Sequence, residues 1–148
     1  MRGGTENVIG IVGLAKALEI AYQHMDEHQQ FIQGLKTHMI NSLREKIPGV
    51  TFNGICDDPD NSLYTVLNVS LPPSDDNEML LFNLDISGIS ASGGSACTSG
   101  SNLGSHVLGA LNADPDRGSV RFSFSKFNTI EEIDYTVQKV SELYQVKA

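Results

Sequence analysis

Residues 119 to 124 read Ser-Val-Arg-Phe-Ser-Phe, a strict alternation of polar and apolar side chains. A period of two is typical of a β-strand with one buried face, so the three apolar residues are predicted to point into a core. Soon after this strand, Thr129-Ile130-Glu131-Glu132 has the pattern of a capping box, which opens a helix. The predicted buried stripe of that helix consists of Ile130, Ile133, Val137, Val140 and Tyr144.

Before this predicted strand and helix, short predicted strands and helices alternate along the chain. Residues 50–53 and 63–71 are predicted strands, and Ser74 can cap a helix that runs to about residue 84. A further helix is predicted over residues 103–111. This order indicates an α+β fold, in which a small, mainly antiparallel sheet is covered on one face by helices.

A long amphipathic pattern occupies the beginning of the chain. Apolar residues recur at three- and four-residue steps from Val8 to Met25, and the same phase continues from Ile32 to Leu43. An unbroken helix of about 40 residues would be roughly 60 Å long, which exceeds the diameter of a domain of this size. We therefore expect the helix either to break near residues 24–30 or to bridge to a part of the protein outside this chain.

Length and composition exclude several classes of function. The 148 residues suffice for one domain with its own core, and a net charge of −8 argues against binding to nucleic acid. No apolar run approaches the roughly 20 residues that cross a bilayer, and the N-terminus lacks a signal-peptide pattern, so we expect no membrane contact and a cytoplasmic location. Two cysteines are too few for a disulfide framework, and the four histidines lack metal-ligand spacing, so no metal site is predicted.

The most unusual composition is that of residues 92–101, which read Ser-Gly-Gly-Ser-Ala-Cys-Thr-Ser-Gly-Ser. None of these side chains can anchor the segment in a core, and its glycines permit many backbone angles, so a mobile loop is predicted. A thiol in such a loop is accessible and can move between two places, as a nucleophile that hands on its product must. Cys97 is therefore a candidate nucleophile. The alternative is a cysteine of no function in a Ser/Gly linker.

Two other residues are candidates for binding anions. Arg121 lies on the polar side of its predicted strand, where it could donate two parallel hydrogen bonds to a carboxylate. Thr5 follows Gly3-Gly4 and precedes the first helix, where free backbone N–H groups and a hydroxyl could bind a phosphate. The alternatives are a solvated strand arginine and an ordinary threonine N-cap.

Three motifs of the chain are similar, in the same order, to motifs of cysteine desulfurases of the NifS/IscS type, within the class V aminotransferase superfamily. The motifs are Arg2-Gly3-Gly4-Thr5-Glu6-Asn7, Ser92-Gly93-Gly94-Ser95-Ala96-Cys97-Thr98-Ser99, and Ser119-Val120-Arg121-Phe122-Ser123. The small residues around the cysteine resemble the long-loop subgroup of that family. The resemblance covers essentially the whole chain and implies the small C-terminal domain of a fold-type-I enzyme that depends on pyridoxal 5'-phosphate (PLP).

The resemblance also implies roles for individual residues. Cys97 would attack the sulfur of the substrate L-cysteine and become a persulfide, with alanine as the other product. Arg121 would bind the substrate carboxylate, and Thr5 would bind the cofactor phosphate. Because that phosphate belongs in this family to the neighbouring subunit, a homodimer is implied. The persulfide sulfur would pass to an acceptor or scaffold protein, for iron–sulfur cluster assembly or tRNA thiolation.

The lysine that binds PLP covalently precedes the Arg-Gly-Gly-Thr motif in this family, and no lysine of this chain lies in a matching motif. We therefore expect residues 1–46 to form a helix leading from a PLP-binding large domain that this chain lacks. Residues 47–148 would form the small domain that carries the cysteine loop. On this interpretation the isolated chain is inactive.

Three other interpretations stay open at this point. The fold could belong to a selenocysteine lyase or a class V aminotransferase, although an aminotransferase has no use for the thiol of Cys97. The chain could instead be a stand-alone sulfur carrier that accepts sulfur from another enzyme. It could also be an inactive fragment that associates through an exposed apolar surface.

Overall fold

The computed structural model of the chain describes residues 3–93 and 105–144. This part forms α-helices on one side of a three-stranded antiparallel sheet, which confirms the predicted α+β class. None of its helices has the length and apolar character of a membrane span. The strands are β1 (Thr51–Phe52), β2 (Val66–Leu71) and β3 (Gly118–Ser123). The helices are α1 (Val8–Gln23), α2 (Met25–Lys46), α3 (Leu80–Ile86), which follows a 3₁₀-helix (Asp75–Met79), α4 (His106–Ala110) and α5 (Ile130–Tyr144).

The sheet is centred on the antiparallel pair of β2 and β3. Six residue pairs are in register, from Val66 opposite Ser123 to Leu71 opposite Gly118, and β1 adds two pairs at the other edge of β2. Because side chains alternate along each strand, one face of the sheet is apolar and the other is polar. The buried apolar face consists of Leu67, Val69, Leu71, Val120 and Phe122.

Helices α2 and α5 supply the other half of the core. Their buried apolar residues belong to one cluster with those of β2 and β3. In the predicted stripe of α5, Ile133, Val137 and Val140 are buried and Tyr144 packs against the core. Ile130 was expected in the stripe as well, but it is the first helical residue and stays 50% exposed.

The long N-terminal pattern forms two helices, because the chain breaks at His24. The expectation of a break near residues 24–30 is thus confirmed, and the expectation of a single long helix over residues 1–46 is wrong. Only α2 enters the core, whereas no residue of α1 is buried. Large apolar side chains of α1 are open to solvent, with Ile9 88%, Leu14 73% and Tyr22 72% exposed. The proposed division of the chain at residue 46 stays a prediction, although α2 shares its core with the strands.

Polar contacts hold the beginning of β3 in place. Arg117 Nε donates to Ser70 Oγ at 2.8 Å, and Arg117 Nη2 donates to the carbonyl oxygens of Gly49 at 2.7 Å and Ser70 at 2.8 Å. These contacts join the segment before β3 to β2 and to the turn after α2. The sequence does not reveal this role of Arg117, because its partners are distant in the chain.

Neighbouring side chains leave little space around the α-carbon of Gly118. A Cβ atom at this position would lie 2.6 Å from Asn77 Oδ1 and 3.0 Å from the hydroxyl oxygen of Tyr144. The Tyr144 hydroxyl donates to the same Asn77 oxygen. The first residue of β3 therefore touches both the 3₁₀-helix and the end of α5, and only glycine leaves room for this contact.

A charged side chain also lies in the interior. Lys36 of α2 is 0% exposed, and its Nζ donates to Ser62 Oγ and to the Leu63 carbonyl, both at 2.8 Å. Burial lowers the pKa of Lys36 below that of an ordinary lysine, because desolvation disfavours the charged form. The ammonium therefore holds the segment before β2 against α2 at an electrostatic cost.

We expect a Lys36→Ala substitution to lower the free energy of unfolding by about 1–3 kcal/mol, because Ser62 Oγ and the Leu63 carbonyl lose their donor. The control Lys46→Ala, at the exposed end of the same helix, should cost less than about 1 kcal/mol. Urea denaturation of the three proteins measures both values. Equal losses in the two variants would show that the buried contacts of Lys36 contribute nothing.

The lowered pKa of Lys36 also sets a pH dependence. In the window between its folded-state pKa and the ordinary value of 10.5, the unfolded chain binds more protons than the folded chain. The stability of the wild type relative to Lys36→Ala should therefore increase as the pH rises through this window.

Candidate substrate-binding site on strand β3

Arg121 lies in the middle of β3, on the polar face of the sheet. Asn68 of β2 is its cross-strand partner, and Ser123 follows it on the same face. Its neighbours Val120 and Phe122 are buried on the opposite face, so the alternation along the strand directs the arginine outward. The side chain is exposed, as the sequence predicts for the polar side of this strand. Its role as a carboxylate ligand stays a prediction.

Ser92 occupies the outer edge of β3 opposite Arg121. The Ser92 N–H donates to the Arg121 carbonyl at 3.1 Å, and the Arg121 N–H donates to the Ser92 carbonyl at 2.7 Å. In addition, Arg121 Nε donates to Ser92 Oγ at 3.1 Å. The expectation that the mobile loop begins at Ser92 is therefore wrong for this residue, because its backbone pairs with an edge strand.

A weak signal for this pairing exists in the sequence. Ile89 and Ala91 pack against the core, whereas Ser90 between them is exposed. The pattern predicts a short extended piece over residues 89–91, and the structure continues it to Ser92, but so short a pattern does not reveal which strand it pairs with. Cys97 lies beyond it, outside the described residues, so its role as a nucleophile also stays a prediction.

Three polar side chains next to Arg121 form a hydrogen-bonded group on the same face. Asn53 Nδ2 donates to Asn68 Oδ1 at 2.9 Å and to Ser119 Oγ at 3.0 Å. The group joins the end of β1 to β2 and β3. It gives the open face of the sheet a polar surface around Arg121, which suits a charged or zwitterionic ligand.

Cys56 is a structural cysteine at the edge of β2. Its Sγ–H donates to the Asn68 carbonyl at 3.2 Å, and its sulfur accepts the Asn68 N–H at 3.3 Å. The Asn53 N–H donates to the same carbonyl at 3.0 Å, so the thiol adds to the pairing at the end of β1 and supplies the acceptor for the Asn68 N–H. Burial raises the pKa of Cys56, so its thiolate is less available than that of a free cysteine.

Thr5 lies ahead of α1 and is exposed. The N-cap of α1 is Asn7, whose Oδ1 accepts the Gly10 N–H at 3.0 Å, so the interpretation of Thr5 as an N-cap is wrong. Within residues 3–93 and 105–144, the Thr5 hydroxyl makes no hydrogen bond, and none joins Thr5 to Arg121. A free hydroxyl ahead of a helix fits a phosphate ligand.

A cavity of about 280 Å³ lies further along the open edge of β3, where Ser90, Ser123, Asn128 and Glu132 are among the lining residues. Neither Arg121 nor Thr5 lines it. The described residues contain no group of three or more side chains that could hold a metal ion.

Comparison with known proteins places this site in a family. The model of the family described as Aminotransferase class-V matches residues 1–136. The chain belongs to the class-V aminotransferases. It is 40% identical over 135 residues to the cysteine desulfurase of Gluconacetobacter diazotrophicus and 35% identical over 146 residues to the cysteine desulfurase IscS of Dictyoglomus turgidum. A solved structure of a NifS-like protein matches with a TM-score of 0.72 at 32% sequence identity. The predicted family and fold class are thus confirmed.

All three matches span most of this chain but a minor part of the relative. The two alignments cover 90% and 97% of this chain, against 33% and 36% of the respective desulfurases. The structural match covers 95% of this chain and 34% of the NifS-like protein. The chain therefore spans about a third of the length of these relatives.

The environment of Cys56 predicts slow alkylation. In a Cys97→Ser variant, Cys56 is the one remaining thiol, and iodoacetamide should modify it about tenfold or more slowly at neutral pH than in the unfolded chain. The reason is the raised pKa of Cys56 together with its two hydrogen bonds to Asn68. Mass spectrometry against time, with and without denaturant, measures the two rates. Equal rates would contradict a structural thiol.

Proposed function

We propose that this chain is the small domain of a PLP-dependent cysteine desulfurase, with Cys97 as the nucleophile and Arg121 as the ligand of the substrate carboxylate. The arrangement of Arg121 is the main structural support. Its Nε is engaged by Ser92, whereas its two Nη atoms have no hydrogen-bond partner among the described residues. Such an arginine offers two parallel donors, which match the two oxygens of a carboxylate.

The proposed reaction is a transfer of sulfur. The Cys97 thiolate attacks the sulfur of L-cysteine, an S–S bond forms, and the carbon–sulfur bond of the substrate breaks. The electron pair of that bond stays with the substrate carbon, which takes up a proton to give L-alanine. Cys97 is left as a persulfide. PLP, when bound, supplies the electron sink for this chemistry.

Three residues of this chain, Arg121, Thr5 and Cys97, have distinct roles in the proposed reaction. Arg121 holds and orients the substrate through its carboxylate, while the exposed Thr5 hydroxyl contributes to binding the cofactor phosphate. Cys97 distinguishes the proposed activity from that of a class V aminotransferase, which needs no thiol nucleophile. The persulfide sulfur then passes to an acceptor or scaffold protein, for iron–sulfur cluster assembly or tRNA thiolation. A net charge of −8 favours a basic acceptor.

Helix α1 supports the proposed domain organisation. Its large apolar side chains are all at least 41% exposed, and exposed apolar surface of this extent is typical of an interface. We propose that residues 1–46 lead from a PLP-binding large domain, which covers α1, to the small domain of residues 47–148. The full-length enzyme would work in the cytoplasm as a homodimer.

The nucleophile is tested in the full-length enzyme. A Cys97→Ser substitution should lower alanine formation from L-cysteine by at least about a hundredfold. It should also abolish the mass increase of one sulfur atom on the peptide that contains residue 97. Cys56→Ser is the matched control and should retain both signals, because its hydroxyl can still bond to Asn68. Full alanine production by Cys97→Ser would refute the assignment.

The cofactor requirement is tested on the isolated chain. After incubation with PLP and dialysis, it should show no visible absorbance from a covalently bound cofactor, since no lysine lies in the family motif and Lys36 is buried. The full-length enzyme treated in the same way should show that absorbance. A stable PLP adduct on one lysine of the chain, located by borohydride reduction and mass spectrometry, would contradict the proposal.

A further inference from the structure

The contact between Ser92 and Arg121 involves both backbones and one pair of side chains. Their two backbone hydrogen bonds fix the segment of Ser92 beside β3, and they do not depend on either side chain. The third bond, from Arg121 Nε to Ser92 Oγ, depends on both side chains. The side-chain bond can therefore be removed while the backbone pairing stays intact.

This third bond determines which nitrogens of the guanidinium are available. An arginine can donate two hydrogen bonds to a carboxylate either from Nε and one Nη atom or from its two Nη atoms. Because Nε is occupied by Ser92, only the pair of Nη atoms remains for a ligand. A side chain held at Nε also has less rotational freedom left to lose when a ligand binds.

We propose that Ser92 is a positioning residue for substrate binding, which holds Arg121 so that its two Nη atoms face the carboxylate of the substrate. This inference rests on the proposed function, in which Arg121 binds that carboxylate. In this role Ser92 acts through Arg121 and has no part of its own in the sulfur transfer. Its contribution is therefore to the affinity for L-cysteine and not to the rate of sulfur transfer.

The test compares variants of the full-length enzyme in alanine formation from L-cysteine. Ser92→Ala should raise KM about five- to tenfold and change kcat by less than about twofold, as expected for the loss of one hydrogen bond of ordinary strength. Ser92→Thr keeps the hydroxyl and should restore the wild-type KM to within about twofold. Ser90→Ala is the matched control, because this exposed serine lies on the same segment; its KM should stay unchanged.

A second readout is independent of the chemical step. The product L-alanine carries the same carboxylate without the thiol, so its inhibition constant should rise in Ser92→Ala by the same factor as KM. A lowered kcat with unchanged KM and unchanged alanine inhibition would overturn the proposal, because Ser92 would then act on the reaction itself.

A double-mutant cycle tests whether Ser92 acts through Arg121. Arg121→Lys removes Nε, so adding Ser92→Ala to this variant should raise KM by less than about twofold further. If the increases in KM caused by the two single substitutions multiply in full in the double variant, Ser92 does not act through Arg121 and the inference is wrong.

The failures of the two proposals are distinguishable. If Arg121→Lys raises KM while Ser92→Ala does not, the inference fails and the proposed function stands. If neither substitution changes KM, Arg121 is not the carboxylate ligand and the inference falls with that assignment. If the wild-type enzyme forms no alanine from L-cysteine, the proposed function itself fails.

Discussion

The antiparallel pairing of β2 with β3 is the interaction on which the rest of the structure depends. The register of this pair directs Val120 and Phe122 toward α2 and α5 and directs Arg121 to the open face. A shift by one residue would expose the aromatic side chain and bury the guanidinium without a partner. The packing of the core and the placement of Arg121 on the open face therefore have a single cause, which is the register of β2 and β3.

Local patterns predicted the elements that depend on neighbouring residues. The alternation over residues 119–124 corresponds to β3 together with the buried Phe124. The capping box is also present as predicted, since the Thr129 N–H donates to Glu132 Oε2 at 3.1 Å and the Glu132 N–H donates to Thr129 Oγ1 at 3.3 Å. Arg121 as a candidate ligand followed from the same strand pattern, because alternation alone determines its face.

Contacts between distant parts of the chain could not be predicted in this way. The apolar periodicity runs through His24 without interruption, so it could not predict that α2 packs into the core and α1 does not. Lys36 and Arg117 resemble surface cations in the sequence, and only the carbonyl groups brought to them by the fold reveal their structural role. Ser92 was assigned to the loop for the same reason, since its partner Arg121 lies on another element.

The close contact at the beginning of β3 has a consequence for the evolution of this fold. The Gly118 α-carbon, the Asn77 amide and the Tyr144 hydroxyl share one small volume, so these positions cannot change independently. A larger residue at position 118 requires a smaller neighbour at position 77 or 144, and loss of the tyrosine hydroxyl removes a hydrogen bond from Asn77. Relatives that keep this arrangement should therefore show correlated substitutions at these three positions, which are far apart in sequence. The correlation would reflect packing at the first residue of β3 and not catalysis.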